Sequence, residues 1–374
     1  MSLTVKPVSG SKGIKAFIDF QHELYAGDAG YVPELYLAQK EMFDTKKYPF
    51  YEFGEVYPFM AYRDGKAVGR IVAIVNNRYN EFHKSNVGFF GFFDFVNNVE
   101  VAKALYHTAK EKLQSRGYDK LIGPTNFSTN ETAGTLVFGY DDPPKVMMTY
   151  NKPYYDDIMK ALGAEKEMDL HAFMIYSFEA SDKSIKLAGL LEKRLEAQGI
   201  TIRNLNVKDW KNEVVRVKQI YNLAWENNWG FVPFTDNEFK HLAEGLKLLV
   251  DEKFAYIAEH NGEPVGFSIS LPNINEITQC FKKGRLLPFN IFKLLLRKKK
   301  VQSVRIAAAG VLEQYRKKGI EAIFFSKNIL EARERNLIGG EASWILENNK
   351  DMMLAAEKLN GKLYKTYRLY SLPA

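Results

Sequence analysis

Apolar positions along the chain switch between two periods. Val304-Arg305-Ile306-Ala307-Ala308-Ala309-Gly310-Val311 is a mostly apolar run, the mark of a buried strand. From Ile320 to Arg335 the apolar residues return on a wide arc at helical spacing, which predicts a long helix. Glu313 to Gly319 between them is a charged turn, so the stretch reads strand, loop, helix. Gly88-Phe89-Phe90-Gly91-Phe92-Phe93-Asp94 predicts a second buried strand, with a helix beginning near Val99. Its phenylalanines are read as core rather than as an aromatic binding box.

The pattern repeats. Leu3-Thr4-Val5-Lys6 matches Ile200-Thr201-Ile202-Arg203, and Phe59 to Gly69 matches Tyr256 to Gly266, both at an offset of 197 residues. Asn151, expected to cap a helix carrying Tyr155, Ile158, Met159 and Leu162, matches Asn348, followed by Met352, Ala355, Ala356 and Leu359 at the same offset. Asp64-Gly65 and Asn261-Gly262 are two-residue hairpin signals between strand-like segments. Each copy therefore holds an N-terminal strand, helices, a hairpin, a third long strand, a helix, a further strand, and a capped helix leading into a last strand. Residues 1–178 form the first copy, 179–198 a linker helix and 199–374 the second. The fold class is α/β in the broad sense, α+β with mixed, mostly antiparallel sheets.

The loop Gln314-Tyr315-Arg316-Lys317-Lys318-Gly319-Ile320-Glu321 carries the chemistry. Glycine lets backbone approach a ligand closely, and the first turn of the following helix offers unpaired N–H groups under a positive dipole. Such a start suits a phosphate or pyrophosphate. With this loop and this order of elements, the chain resembles the GNAT superfamily of acyl-CoA-dependent N-acyltransferases. That family's loop reads Arg or Gln, two residues, Gly, one residue, then Gly or Ala. Arg316, Lys317, Lys318, Gly319 and Ile320 fit, and Glu321 occupies the small-residue slot. The resemblance implies two tandem GNAT-like domains, a bulged third strand splaying from the next, and a cofactor, acetyl-CoA or another acyl-CoA, held by Gly310, Val311, Gln314, Arg316, Lys317, Lys318, Gly319, Ile320 and Asn348. The last matches the family asparagine that orients the pantetheine arm, although helix capping alone explains it.

The copies diverge in opposite places. After Phe95 the first copy reads Val96-Asn97-Asn98-Val99-Glu100, with no basic, glycine-bearing approach, so one cofactor site is expected, in the second copy. The first copy carries instead a Gly/Asn/Ser/Thr/Pro segment from Gly123 to Pro144, too polar and turn-rich to be core. It is expected to shape the acceptor pocket, with Asn126, Asn130, Tyr154 and Tyr155 as candidate substrate contacts. The second copy's extra material, Phe281 to Lys300, has eight basic residues and no acidic one. It reads as a lid over the cofactor, a membrane-surface helix or a solvated basic flank. Pro288 limits helix length and the apolar part is short, so stable membrane association is not expected.

An N-acyltransferase must take a proton from an amine and meet a departing thiolate. The family's usual tyrosine slot falls at Ala356 and Met159. Tyr364, Tyr367 and Tyr370, with Glu341 or Glu347, are the substitutes, and Tyr364, Tyr367 and Glu347 are taken as the catalytic set; alternating strand faces account for the same pattern.

Composition narrows the rest. Of 374 residues, 46% are apolar and 26% charged, enough for two cores and too apolar for wholesale disorder. The net charge of +7 suits an anionic ligand or merely a solubilising surface. A single cysteine, Cys280, excludes an intrachain disulfide framework, and the six histidines lack metal-ligand spacing, so no metal is expected. No apolar run reaches membrane-span length and the first residues lack a signal-peptide core, so a cytoplasmic protein is expected. Serine-hydrolase and P-loop motifs are absent. The expected activity is acyl transfer, acetyl above all, to a small-molecule or peptide amine held between the copies. The alternatives are a non-catalytic or degenerate GNAT-like binder and, because Fem-type transferases are also tandem GNAT-like, an aminoacyl-tRNA-dependent transferase. DNA is not an expected partner, RNA stays open, and a homodimer is compatible with the sequence.

Overall fold

Both hairpin signals form turns with two left-handed residues, Asp64 (φ 49°) with Gly65 (φ 80°) and Asn261 (φ 51°) with Gly262 (φ 88°). Positive φ at both central positions matches the right-handed twist of the flanking strands, which is why Asp-Gly and Asn-Gly occur there. The structure, a computed structural model, describes residues 2–373. Its first half runs β1 (Leu3–Pro7), α1 (Gly10–Leu24), α2 (Tyr36–Met42), β2 (Gly54–Arg63), β3 (Lys66–Asn76), α3 (Asn77–His83), β4 (Val87–Phe95), α4 (Val99–Gln114), β5 (Lys120–Gly123), β6 (Thr135–Phe138), α5 (Tyr154–Ala161) and β7 (Glu165–Tyr176). Then follow α6 (Asp182–Glu196), β8 (Ile200–Asn204), α7 (Trp210–Ala224), α8 (Asp236–Leu246), β9 (Ala255–His260), β10 (Glu263–Pro272), α9 (Asn275–Thr278), α10 (Asn290–Arg297), β11 (Ser303–Val311), α11 (Ile320–Glu334), β12 (Gly339–Leu346), α12 (Lys350–Lys358) and β13 (Lys362–Pro373). The expected order of elements is present twice.

The chain forms two compact units, one of Met1–Leu170, Ile277–Leu295 and Lys365–Ala374, the other of His171–Glu276 and Leu296–Tyr364. The basic insertion as far as Leu295 and the last residues of the second copy thus belong to the first unit, while Leu296 to Lys300 belong to the second. There the strand order is β1-β2-β3-β4-β5-β13, with β6 also on β13. The second unit repeats it as β8-β9-β10-β11-β12. Among the described pairings β4 with β5 and β11 with β12 are parallel and the others antiparallel, which gives the expected mixed, mostly antiparallel sheets. In the first unit Leu105, Ala109 and Leu113 of α4 cover Ile71, Ala73 and Phe90. In the second, Ile320, Ile323 and Phe324 of α11 pack with Ala258, Val265 and Val311 and with Ala188 and Leu195 of α6. Burying these apolar faces is what holds each helix against its sheet.

Three local expectations need correction. Asn151 does not cap α5, which starts at Tyr154 after Pro153. Its buried amide instead bridges Leu136, accepting from the backbone N–H at 2.7 Å and donating to the carbonyl at 3.0 Å. Nor does Asn348 cap α12, because Asn349 accepts from the Met352 N–H at 3.2 Å. The turn-rich stretch after Gly123 is not all surface, since Thr125, Phe127, Ser128, Ala133, Thr135 and Leu136 are buried.

Candidate functional site

In the second unit, β11 and β12 pair only from Ser303 opposite Gly339 to Ile306 opposite Ala342, although β11 continues to Val311 and β12 to Leu346. A bulge between Ile269 and Ser270 in the β10 pairing turns β11 at the same level. Beyond Ile306, Ala307, Ala308 and Ala309 are half-exposed, and the indole N–H of Trp225 donates to the Ala309 carbonyl at 3.1 Å.

The loop that follows sets up α11. Gly319, at φ 95°, is the residue before the helix. A side chain there would be strained by the left-handed backbone, which is why glycine suits the position. With no side chain to cap it, the helix start leaves amides for another acceptor. Lys317 and Lys318 are exposed beside it. Arg316 is used differently from expectation, since its guanidinium donates to the carbonyls of Ala224 at 2.5 Å and Val311 at 3.3 Å and so fixes the loop. Glu321, in the small-residue slot, accepts from its own N–H, and burial raises its carboxyl pKa.

Further along the split, Arg305 Nε donates to Ser343 Oγ at 2.9 Å and lies 3.6 Å from Glu341. Ser343 and Tyr364 both donate to the fully buried Glu341 carboxylate. With two hydroxyl donors on it and the Arg305 guanidinium 3.6 Å away, Glu341 anchors the Tyr364 hydroxyl. Of the expected catalytic residues, Tyr364 belongs to this cluster, and Glu347 is half-buried near the end of β12. Tyr367 is fully buried in β13, opposite Leu136 of β6. Gly310 and Val311 are buried at the end of β11, and Gln314 is exposed in the loop.

The first unit has the same split, as β4 and β5 pair only from Val87 to Phe89, but it is filled differently. The β3–β4 register slips between Arg70 and Val72, and Phe92 takes φ 47° in the bulge. Gly91 is required there because a Cβ would lie 1.7 Å from the Thr125 carbonyl oxygen. Asn126 accepts from the Phe92 N–H at 2.9 Å and donates to Thr132 at 2.9 Å. A cavity of about 50 Å³ results, bounded by Glu34, Arg70, Asp94, Asn126, Thr132 and Tyr155 among others. The buried Arg70 guanidinium lies 2.7 Å from Asp94 and donates to the Phe17 carbonyl at 2.9 Å. Tyr25 donates to Tyr155 at 2.9 Å and lies 3.2 Å from Asp94; burial, with the Asp94 charge adding to it, holds both phenols well above their ordinary pKa. Glu34 accepts from Gln39 at 2.7 Å, and burial raises its pKa against that bond.

Of the expected acceptor contacts, Asn126 and Tyr155 line this cavity. Tyr154 instead donates to the Phe95 carbonyl, and the Asn130 N–H turns to Ser128. Arg70, Asp94, Tyr25 and Glu34 were not singled out from sequence, although an arginine and an aspartate inside two apolar strands were the available signal. The start of α4 is occupied: Asn98 accepts from the Val101 N–H at 3.1 Å, and Arg63 pairs with Glu100 at 3.3 Å. Among the described residues no group of three or more His, Cys, Asp or Glu is placed to hold a metal, and no helix is long and apolar enough to cross a membrane.

Twice-repeated strand order, two split parallel pairs and a glycine-led helix start define a tandem GNAT-like protein. Solved structures agree on the fold: a tandem GNAT protein from the clavulanic acid biosynthesis pathway matches at TM-score 0.57 and 10% identity, over 100% of this chain and 98% of that one. A GCN5-related N-acetyltransferase from Anabaena variabilis matches at TM-score 0.50 and 10% identity, over 99% of this chain and 72% of that one. No family model matches the sequence. Protein YghO of Escherichia coli (strain K12) is 33% identical over 374 residues, covering 98% of this chain and 94% of the relative. The bacterial ceramide synthase of Caulobacter vibrioides is 33% identical over 375 residues, covering 98% and 97%. The chain belongs to the family of these two proteins.

Proposed function

We propose that the protein is an acyl-CoA-dependent N-acyltransferase whose acceptor is a long-chain amino alcohol of the sphingoid class. The observation that carries this reading is the full-length similarity to a protein named for making ceramide, an N-acylated sphingoid base. In this reading the amides at the start of α11, with Lys317 and Lys318, receive the carrier's pyrophosphate, and the open edges of β11 and β12 offer backbone groups to its pantetheine arm. The polar cavity of the first unit, lined by Asn126, Tyr155 and Glu34, suits an amino-diol head by its hydrogen-bonding groups and its buried carboxyl. In acyl transfer an ammonium gives one proton to a carboxylate, the freed nitrogen attacks the thioester carbonyl, the C–S bond breaks, and the second proton lost by the nitrogen protonates the departing thiolate. A carboxyl whose pKa burial has raised is a better-matched base for that step than an ordinary glutamate.

The test is direct. Purified protein is incubated with sphinganine and an acyl-CoA series from acetyl to palmitoyl, and products are read by mass spectrometry. An amide that needs both reactants supports the reading; no amide with any member of the series overturns it.

A further inference from the structure

The basic insertion remains outside both sites. Its first part is fastened within the first unit. Lys283 pairs with Glu23 at 2.7 Å, Arg285 donates to Asp19 at 3.1 Å and stacks on Tyr36, and Gln279 donates to the Ala29 carbonyl at 2.7 Å. Gly284, where a Cβ would lie 1.8 Å from the Glu34 carbonyl oxygen, brings the segment against the backbone of a cavity-lining residue. Its second part does the reverse. Leu287, Phe289, Phe292 and Leu296 are 61, 78, 63 and 77% exposed, while Leu294 alone of the helix is buried. Spacing along α10 puts Phe289, Phe292 and Leu296 on one face. Lys282, Arg297, Lys299 and Lys300 are exposed around them, and no acidic residue lies anywhere from Phe281 to Lys300.

Large apolar side chains standing in solvent on a segment whose own charges are all cationic are what an interfacial helix presents to an anionic bilayer, the rings entering the headgroup region and the ammonium groups meeting lipid phosphates. A hydrophilic partner leaves the phenylalanines unpaired with anything, and a second copy of this segment would set like charges against each other. We infer that residues 286–300 dock the protein on anionic lipid surfaces. One short helix and a few cations give reversible, salt-sensitive attachment rather than permanent anchoring. This inference stands apart from the acyl-transfer reading, because attachment is scored without turnover.

Full-length protein is sedimented with vesicles of phosphatidylcholine alone and with about 30 mol% phosphatidylglycerol added. The inference expects at least tenfold more bound protein on the anionic vesicles and release at roughly 0.5 M salt. It also expects near-background binding for the Phe289→Asp/Phe292→Asp variant, whose exposed positions leave the melting temperature unchanged. Equal sedimentation with both vesicles, no sedimentation with either, or undiminished binding of the variant would each overturn it. So would wild-type protein that ignores vesicles but forms a dimer the variant loses, since the apolar face would then belong to a second copy.

Discussion

The helix after the fourth strand begins differently in the two copies. At α4 the amides meet the Asn98 side chain, and Glu100 stands in the first turn paired with Arg63. At α11 a glycine in the left-handed region precedes the turn with no side-chain cap from its own position, two exposed lysines stand before it, and Glu321 in the first turn accepts from its own N–H. The strand geometry leading into both is the same, a parallel pair that separates after three or four residues. A duplicated fold can thus keep its architecture while one short segment changes how a helix start is met. The first copy's split then accommodates an ion pair, two buried phenols and a carboxyl, whereas the second keeps its strand edges half-exposed. Only part of the second site agrees with the family pattern, since Arg316 braces the loop and Glu321 competes for the amides.

The largest expected effect sharpens the contrast on the first copy's side. Arg70→Met strands the buried Asp94 carboxylate beside two phenols and should cost about 3–5 kcal/mol in urea unfolding; a loss below about 1 kcal/mol would mean the pair is not desolvated. Next comes a pH effect from the same network. His22, hydrogen-bonded to Tyr31 at 2.8 Å, is held down to about 4 by burial, with Arg70 adding to it, from an ordinary 6.5. The unfolded chain therefore binds the proton first, and stability is lost as pH falls from 6.5 towards 4, by ~3 kcal/mol for this group. His22→Asn should flatten that limb of the pH–stability curve, and an unchanged slope would place the loss elsewhere.

At the second copy's helix start, Lys317→Glu with Lys318→Glu should weaken CoA binding by about 2 kcal/mol in calorimetry, roughly 30-fold, without shifting the melting temperature of free protein. The counterpart change Arg63→Glu at α4 should leave affinity untouched, and the reverse pattern would exchange the roles of the two copies. The smallest effect is a gain. Glu321→Ala removes a carboxylate from the site and should tighten CoA by about 1 kcal/mol; weaker binding would show that Glu321 contacts the ligand.

Much of the fold was legible because its signals are local. Asp64-Gly65 and Asn261-Gly262 set their hairpins by turn chemistry alone, and Ile320 to Glu334 forms a helix where its periodicity said. The cap at Asn349 instead of Asn348 is the one-residue ambiguity that two adjacent asparagines create. The first copy's cavity was not legible, since Tyr25, Glu34, Arg70, Asp94 and Tyr155 are far apart in sequence and meet only through the β4 bulge at Phe92. Tyr367 and Arg368 alternate as strand faces do, and the structure buries Tyr367 in β13 opposite Leu136 of β6, a pairing set by strands far apart in sequence. The insertion could be read as basic and amphipathic, but whether its phenylalanines face a core or solvent is a tertiary fact.

Hydrogen–deuterium exchange of the full-length protein with and without CoA examines the two helix starts in one experiment. The account predicts slowed exchange at the amides from Ile320 to Phe324 and no change from Val99 to Lys103. Protection at the start of α4, or none at the start of α11 under saturating CoA, would contradict it.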